Sequence, residues 1–296
     1  MKNLVKVAPM VIALGACRAT GSEERYTVMI YKVPLPLLCS YSNEHVMVRS
    51  SDAAAMVRAV SDDPSGRIKA VQLLSPGSGV AALADLPQSM AIDLCLTKSH
   101  QDSGMVLVWR KLLKGRPVRL LIPVIPGFSN VLKQALAGGM RVGLDIDQPC
   151  DAAVEELKEA FVFFTREPDV KEPVDLFYGL LRSFLTKRVE SLWHIQEEHP
   201  SSYRYVTDLG ELTLSGRLEN CPNPETILAD HKASLFLHKE ECCTCRFFSH
   251  CEGYFKLPRE GYSCAVIKEF FALVWDMAAE LRLDLSQAPG PSGAHA

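Results

Sequence analysis

The chain has 296 residues, 48% of them hydrophobic and 23% charged, with a formal net charge of −3. That length buries a full core as one large or two modest domains, and the interspersed charge excludes the basic footprint of a nucleic-acid-binding protein. No apolar run reaches the roughly 18 residues of a membrane-spanning helix, and ten cysteines are too sparse for a disulfide scaffold.

The N-terminus carries two readings. Met1-Lys2-Asn3, the apolar residues Val7 to Ala16, and Cys17 resemble a bacterial lipoprotein signal anchored at Cys17. Lys6 shortens that apolar run, and the competing reading is a first strand of the fold in a cytoplasmic protein. Tyr26 to Val33 is β-branched and aromatic and predicts a strand, which Pro34 and Pro36 end. Ser51-Asp52 predicts a helix cap, with Ala53, Met56, Val57 and Val60 on one face. Lys69 to Leu74 and Met90 to Leu96 read as strands, and Gln101 to Lys114 as a helix. Pro117 to Ile125 is continuously apolar, as in a strand covered on both faces. Ser129 is expected to cap a helix that Gly138-Gly139 ends. Arg141 to Ile146 is the next strand, and Asp151 to Thr165 an amphipathic helix. Five such strand–helix units predict an α/β fold: a mostly parallel sheet, either open or a partial (β/α) barrel, over residues 1–165.

After a linker at Arg166 to Asp169 the pattern changes. A helix is expected over Pro173 to Arg188 within a helical linker, 166–201. Tyr203 to Asp208 and Glu211 to Ser215 flank Leu209-Gly210 and predict a β-hairpin. Helices follow over Glu225 to His238 and Ala265 to Leu283, and the Pro/Gly/Ser-rich tail 286–296 reads as disordered.

Between those last two helices lies the densest chemistry. Half of the ten cysteines fall within the 23 residues from Cys242 to Cys264. Without Cys243 they read C-x2-C-x5-C-x12-C: Cys242, Cys245, Cys251 and Cys264. Four thiolates in one knot suit an iron–sulfur cluster or zinc. A zinc knuckle ordinarily uses two short C-x2-C pairs, and the second is missing. A disulfide-bonded knot in an exported protein, or plain buried thiols, are the remaining readings. Adjacent side chains in extended chain point to opposite sides. Cys242, which gives x2 to Cys245, is therefore expected as a ligand and Cys243 as a bystander.

This knot resembles the second auxiliary 4Fe–4S site of the SPASM domain, found at the C-terminus of radical S-adenosylmethionine enzymes that mature peptides. The resemblance covers about 25 residues, and a hairpin before the knot, as in SPASM and twitch domains, extends the likeness of layout back to Ser202. It implies a Cys-rich SPASM/twitch-like domain over 202–285 and one 4Fe–4S cluster on Cys242, Cys245, Cys251 and Cys264, with zinc as the alternative metal. The family pattern continues C-x3-C, but Phe255 stands at that position, which implies that the first auxiliary cluster is absent. The C-x3-C-x2-C that holds the radical-generating cluster is missing too, since Cys17, Cys39, Cys95 and Cys150 are isolated. The resemblance therefore implies an accessory protein, partnered by a radical maturase or a precursor peptide.

Other candidate chemistry is sparser. Asp145 and Asp147 sit at the carboxyl end of a strand, where α/β active sites lie; such residues also cap helices. Ser75 to Gly79 offers backbone amides to an anion but lacks a phosphate-loop lysine. His250 beside Cys251 is a substitute ligand, and Trp109, Trp193 and Trp275 read as core.

Overall fold

The computed structural model describes residues 28–97, 103–186, 189–221 and 223–287. The signal-like segment with Cys17, the start of the helix expected from Gln101, and nearly all of the tail lie outside them. No described helix is long and apolar enough to cross a membrane.

The fold is α/β. Six parallel strands run in chain order across one sheet: β1 (Ile30–Pro34), β2 (His45–Ser50), β3 (Ile68–Leu74), β4 (Ala91–Cys95), β5 (Val118–Pro123) and β6 (Arg141–Asp145). Each crossover adds one strand to the same edge of the sheet, as right-handed strand–helix units do. The sequence reading missed β2, so the structure has six units where five were expected. His45-Val46-Met47-Val48-Arg49-Ser50 is bracketed by a turn and a cap, and only about six residues separate them, too few for its period to stand out.

Pro34 and Pro36 do end β1, and they open a 3-10 helix (Leu35–Tyr41) rather than a loop. Five α-helices follow in the sheet region: α1 (Ala53–Ser61), α2 (Val106–Leu112), α3 (Phe128–Ala137), α4 (Asp151–Arg166) and α5 (Asp175–Leu185). Asp52 caps α1, its carboxylate accepting from the Ala55 amide at 2.9 Å. Ser129 does not cap α3. That helix begins one residue earlier, after Gly127 at φ +90°, whose N–H is taken by Glu156 at 2.7 Å. A left-handed residue there suits only glycine at low cost, so the turn and not the serine sets the boundary.

Val46 and Val48, Val71 and Leu73, Ile92 and Leu94, Leu120 and Ile122, and Val142 and Leu144 are all buried on the helix side of the sheet. They share one core with Met56, Trp109, Phe128 and Leu132, each such side chain contributing about 1.5–3 kcal/mol. The opposite face alternates with it. In β5, Val118, Leu120 and Ile122 are buried while Arg119, Leu121 and Pro123 are only partly so. That strand is therefore not covered on both faces, as its apolar run suggested. One face packs under helices and the other lines a hollow.

The hairpin exists, as β7 (Tyr203–Val206) and β8 (Leu212–Thr213). Its first strand pairs in parallel with β1, Ile30 opposite Tyr203 and Lys32 opposite Tyr205, so the hairpin extends the main sheet. A single turn, α6 (Leu192–Ile195), precedes it; α7 (Ile227–Leu237), the short α8 (Phe248–Cys251) around the cysteines, and α9 (Ala265–Gln287) follow. The last helix packs on α4 and α5 through Phe270, whose ring meets Phe161 and Phe177 at 6.0 and 6.1 Å. The core continues without a break into Phe247, Tyr254, Phe255 and Cys264. Of the three tryptophans, Trp109 and Trp193 are core; Trp275 is 41% exposed, its ring resting on Phe184.

Candidate functional site

Two places gather reactive side chains. The first is the cysteine knot. Cys242, Cys245, Cys251 and Cys264 all line one hollow of about 30 Å³, walled by Phe247, Phe248, Phe255, Ile267 and Phe271. Cys242 stands in a 3-10 turn (Glu241–Thr244), Cys251 ends α8, and Cys264 precedes α9. All nine described cysteines are free thiols. Cys243 turns out to solvent, its Sγ directed at the Leu235 carbonyl at 3.5 Å. His250 is not among the lining residues. Its Nδ1 meets Ser183 Oγ at 2.8 Å and its ring packs edge-on against Phe184.

The backbone after Cys251 turns through two left-handed residues, Glu252 (φ 50°) and Gly253 (φ 77°). The backbone amides of Phe255, Tyr254 and Gly253 lower the Cys251 thiol, against the burial that raises it. A Cβ on Gly253 would stand 2.4 Å from Leu235 Cδ1 and 2.9 Å from His231 Nε2, so only glycine fits. Burial pushes the Cys251 and Cys264 thiols up to about 12, and the Cys242 thiol up as well. As bare thiols they stay protonated; to become thiolates they need a cation or a metal centre. Two lysines stand by. Lys256 and Lys268 both pair with Glu241, which also accepts the Cys264 amide at 3.1 Å. Among the described residues no three His, Cys, Asp or Glu side chains stand close enough to hold a single metal ion. The four cysteines line one hollow without forming such a group.

The second place lies at the carboxyl ends of the parallel strands. A cavity of about 380 Å³ opens there. A row of polar residues runs across four strands in lateral register, Arg49 beside Gln72, Gln72 beside Asp93 and Asp93 beside Arg119, and Arg49, Gln72 and Arg119 of this row line the cavity. Arg119 grips Asp93 with two bonds of 2.9 and 2.7 Å and reaches Asp175 at 3.2 Å and Glu197 at 2.6 Å. Lys32 holds the other Glu197 oxygen at 3.0 Å. Burial alone would raise the Glu197 carboxyl, but Lys32 and Arg119 pull it well below the usual carboxylate range. Glu197 sits at φ 56°, a left-handed residue that the ion pairs fix in place. Opposite, Arg217 stacks on Tyr254 at 4.0 Å and holds Glu198 at 2.8 Å.

Asp145 and Asp147, singled out by their place at a strand end, both line this cavity. Neither caps the helix that follows; the residue before α4 is Cys150. Asp147 reaches Arg217 at 3.4 Å. The Asp145 carbonyl accepts from the Val124 amide at 2.9 Å, but its carboxylate has no hydrogen bond or ion pair among the described residues. Its side chain is exposed where it opens on the cavity, while the dense protein around it, with Glu198 adding to the effect, raises its carboxyl to about 6. The sequence reading passed over Lys32, Arg49, Arg119, Glu197, Glu198 and Arg217. The signal for three of the six is one charged residue in the middle of an otherwise apolar strand, repeated from strand to strand.

The fold and these two places define an α/β protein with a mostly parallel sheet, a polar cavity at its strand ends and a separate four-thiol hollow. Comparison of the chain with family models, with curated proteins and with solved structures gave no match. The reading of its function therefore rests on the geometry.

Proposed function

We propose that the chain is an iron–sulfur protein of SPASM-like kind, without a radical-generating site of its own. In this reading Cys242, Cys245, Cys251 and Cys264 hold one 4Fe–4S cluster, and the protein works in the cytoplasm as an accessory of a radical maturase, binding peptide or passing electrons during peptide or protein maturation. The observation that carries it is the shared hollow. Four of the nine described cysteines line it, and the fifth of the knot, Cys243, points away. In a cluster each thiolate binds its own iron, so the sulfurs stand around a volume rather than at one ion. The apolar wall limits solvent, and backbone amides that favour a thiolate, together with nearby lysines, stabilise the negative charge a cluster carries. When bound, the cluster supplies one-electron chemistry.

Anaerobic reconstitution followed by iron and acid-labile sulfide analysis tests the proposal. The expected result is about four of each per chain, with a brown colour. One tightly held zinc and no sulfide would overturn it.

A second reading has its own observation. Asp145, unpaired at the carboxyl end of β6, stands where α/β enzymes place a catalytic carboxylate. Here the cavity at the strand ends is an active site and the knot only structural. Turnover that survives Cys245→Ser and disappears with Asp145→Asn selects this reading over the first.

A further inference from the structure

The cavity at the strand ends is unlike a core, because its walls are charged. Nearly all of that charge is already spent within the protein. Lys32 is neutralised by Glu197, Arg119 by Asp93, Asp175 and Glu197, and Arg217 by Glu198 and Asp147. Arg49 gives its two terminal nitrogens to Tyr205 Oη at 2.5 Å and the Val206 carbonyl at 2.6 Å. Asp145 is the lining carboxylate left over, and Arg49 is the least compensated cation, its nearest carboxylate oxygen being that of Asp208 at 3.9 Å. The neighbours of Asp145 on every side are accounted for: Glu198 and Asp147 repel its charge, and Lys32 and Arg217, which attract it, are committed elsewhere.

Two hydrogen-bonding groups are left over as well, one on a guanidinium and one a neutral hydroxyl. Arg49, only 5% exposed, lines the cavity with a buried Nε that has no partner, and Ser215 Oγ is likewise buried and unpaired. A buried donor without an acceptor costs about 1–3 kcal/mol, and native proteins rarely tolerate it without a ligand or water. The cavity thus presents one unbalanced carboxylate and, apart from it, groups that seek an acceptor. Its volume of about 380 Å³ is that of a small-ligand site.

We propose that this cavity binds a primary amine, either a free ammonium-bearing metabolite or the amino end of a peptide, with the Asp145 carboxylate as its counter-ion. An ammonium brings three donors and one positive charge, which the leftover carboxylate matches. A carbonyl or hydroxyl oxygen farther along the ligand meets the Arg49 side. The site is separate from the thiol knot, so the proposal stands whichever metal the knot holds. Because the surrounding protein and Glu198 raise the Asp145 carboxyl, binding is expected to weaken as the pH falls from 7.5 to 5.

The test is calorimetric or ligand-observed NMR titration of the full chain at pH 7.5. One arm uses butylamine against butan-1-ol and butyrate. The other uses trialanine against its N-acetylated form. The expected result is binding of at least one free amine and weaker binding of its uncharged counterpart. Preference for butylamine identifies a free amine as the ligand class, and preference for trialanine an amino end. Asp145→Asn should weaken the amine about tenfold or more, the loss of a charge-assisted bond, while Asp147→Asn changes it far less. Circular dichroism of both variants controls for folding. The proposal is overturned if neither amine binds, if amine and alcohol bind alike, or if the folded Asp145→Asn variant binds amine as tightly as the unaltered chain.

Discussion

The Tyr254 hydroxyl donates to the Ile146 carbonyl at 2.8 Å, with both groups buried. This one bond ties the knot to the residue after Asp145, for Tyr254 lies three positions beyond Cys251. Gln148 adds to the same seam, its amide nitrogen donating to the Phe255 carbonyl at 2.8 Å. Tyr254→Phe keeps the ring and deletes the bond, leaving the Ile146 carbonyl without it. The expected cost is about 1–3 kcal/mol in urea unfolding. If the seam transmits strain, the variant also moves the Asp145 carboxyl resonance. A change below about 0.3 kcal/mol, within the error of such measurements, would mean that water replaces the hydroxyl.

The knot makes a sharper prediction about which sulfur matters. Cys243→Ala should keep the visible absorbance and thermal stability of the reconstituted protein. Alanine at Cys242, Cys245, Cys251 or Cys264 should bleach it and leave the segment from Glu241 to Ser263 sensitive to protease, because metal binding and folding are coupled there. Bleaching by Cys243→Ala with survival of Cys242→Ala would shift the register and remove the likeness to the SPASM site.

At the floor of the cavity, Arg119 is the shared partner of three carboxylates. Arg119→Met leaves Asp93, itself 5% exposed, with an unpaired buried charge. The expected loss is about 3–5 kcal/mol. Asp93→Asn added to Arg119→Met should recover a good part, since it removes the orphaned charge. Losses that merely add in the double variant would show that the pair is not coupled.

Asp145 should give stability a pH slope of unusual sign. Its carboxyl stands at about 6 in the folded chain, above the ordinary 3.8, so the folded state holds the proton more tightly than the unfolded one. The resulting stabilisation is complete below about 4 and is lost as pH rises through about 6. Because the carboxyl opens on cavity water, its size is expected to be about 1 kcal/mol, well under the full shift. Asp145→Asn should flatten this slope in unfolding curves taken between pH 4 and 7. An unchanged slope would place the titration elsewhere.

How much of this was legible beforehand follows from where each signal lives in the chain. Cys242 to Cys264 lie close in sequence, so their meeting was readable from spacing alone. Asp145 was readable because the end of a parallel strand is a fixed place in such folds. Arg217 was not. It reaches Glu198 and Asp147 only because the hairpin joins β1, and no local pattern announces a parallel pairing across most of the chain. Arg119 was read as part of an apolar strand, since one charge among eight apolar neighbours hardly alters a hydropathy average. Its meaning appears only when Arg49, Gln72 and Asp93 are set beside it.

The pairing of β1 with β7 bears on how the protein is made. While the ribosome is still producing the middle of the chain, β1 to β6 are all present, yet one rim of the sheet is bare. Ile30 to Lys32 must wait for Tyr203 to Tyr205 before their backbone groups on that side are satisfied. A half-made molecule therefore carries an unpaired edge with Tyr31 and Val33 on it, a ready template for another nascent copy. Lys32 in the middle of that strand is a charge any wrong neighbour would have to accommodate, so the residue that later anchors Glu197 also guards the rim during synthesis.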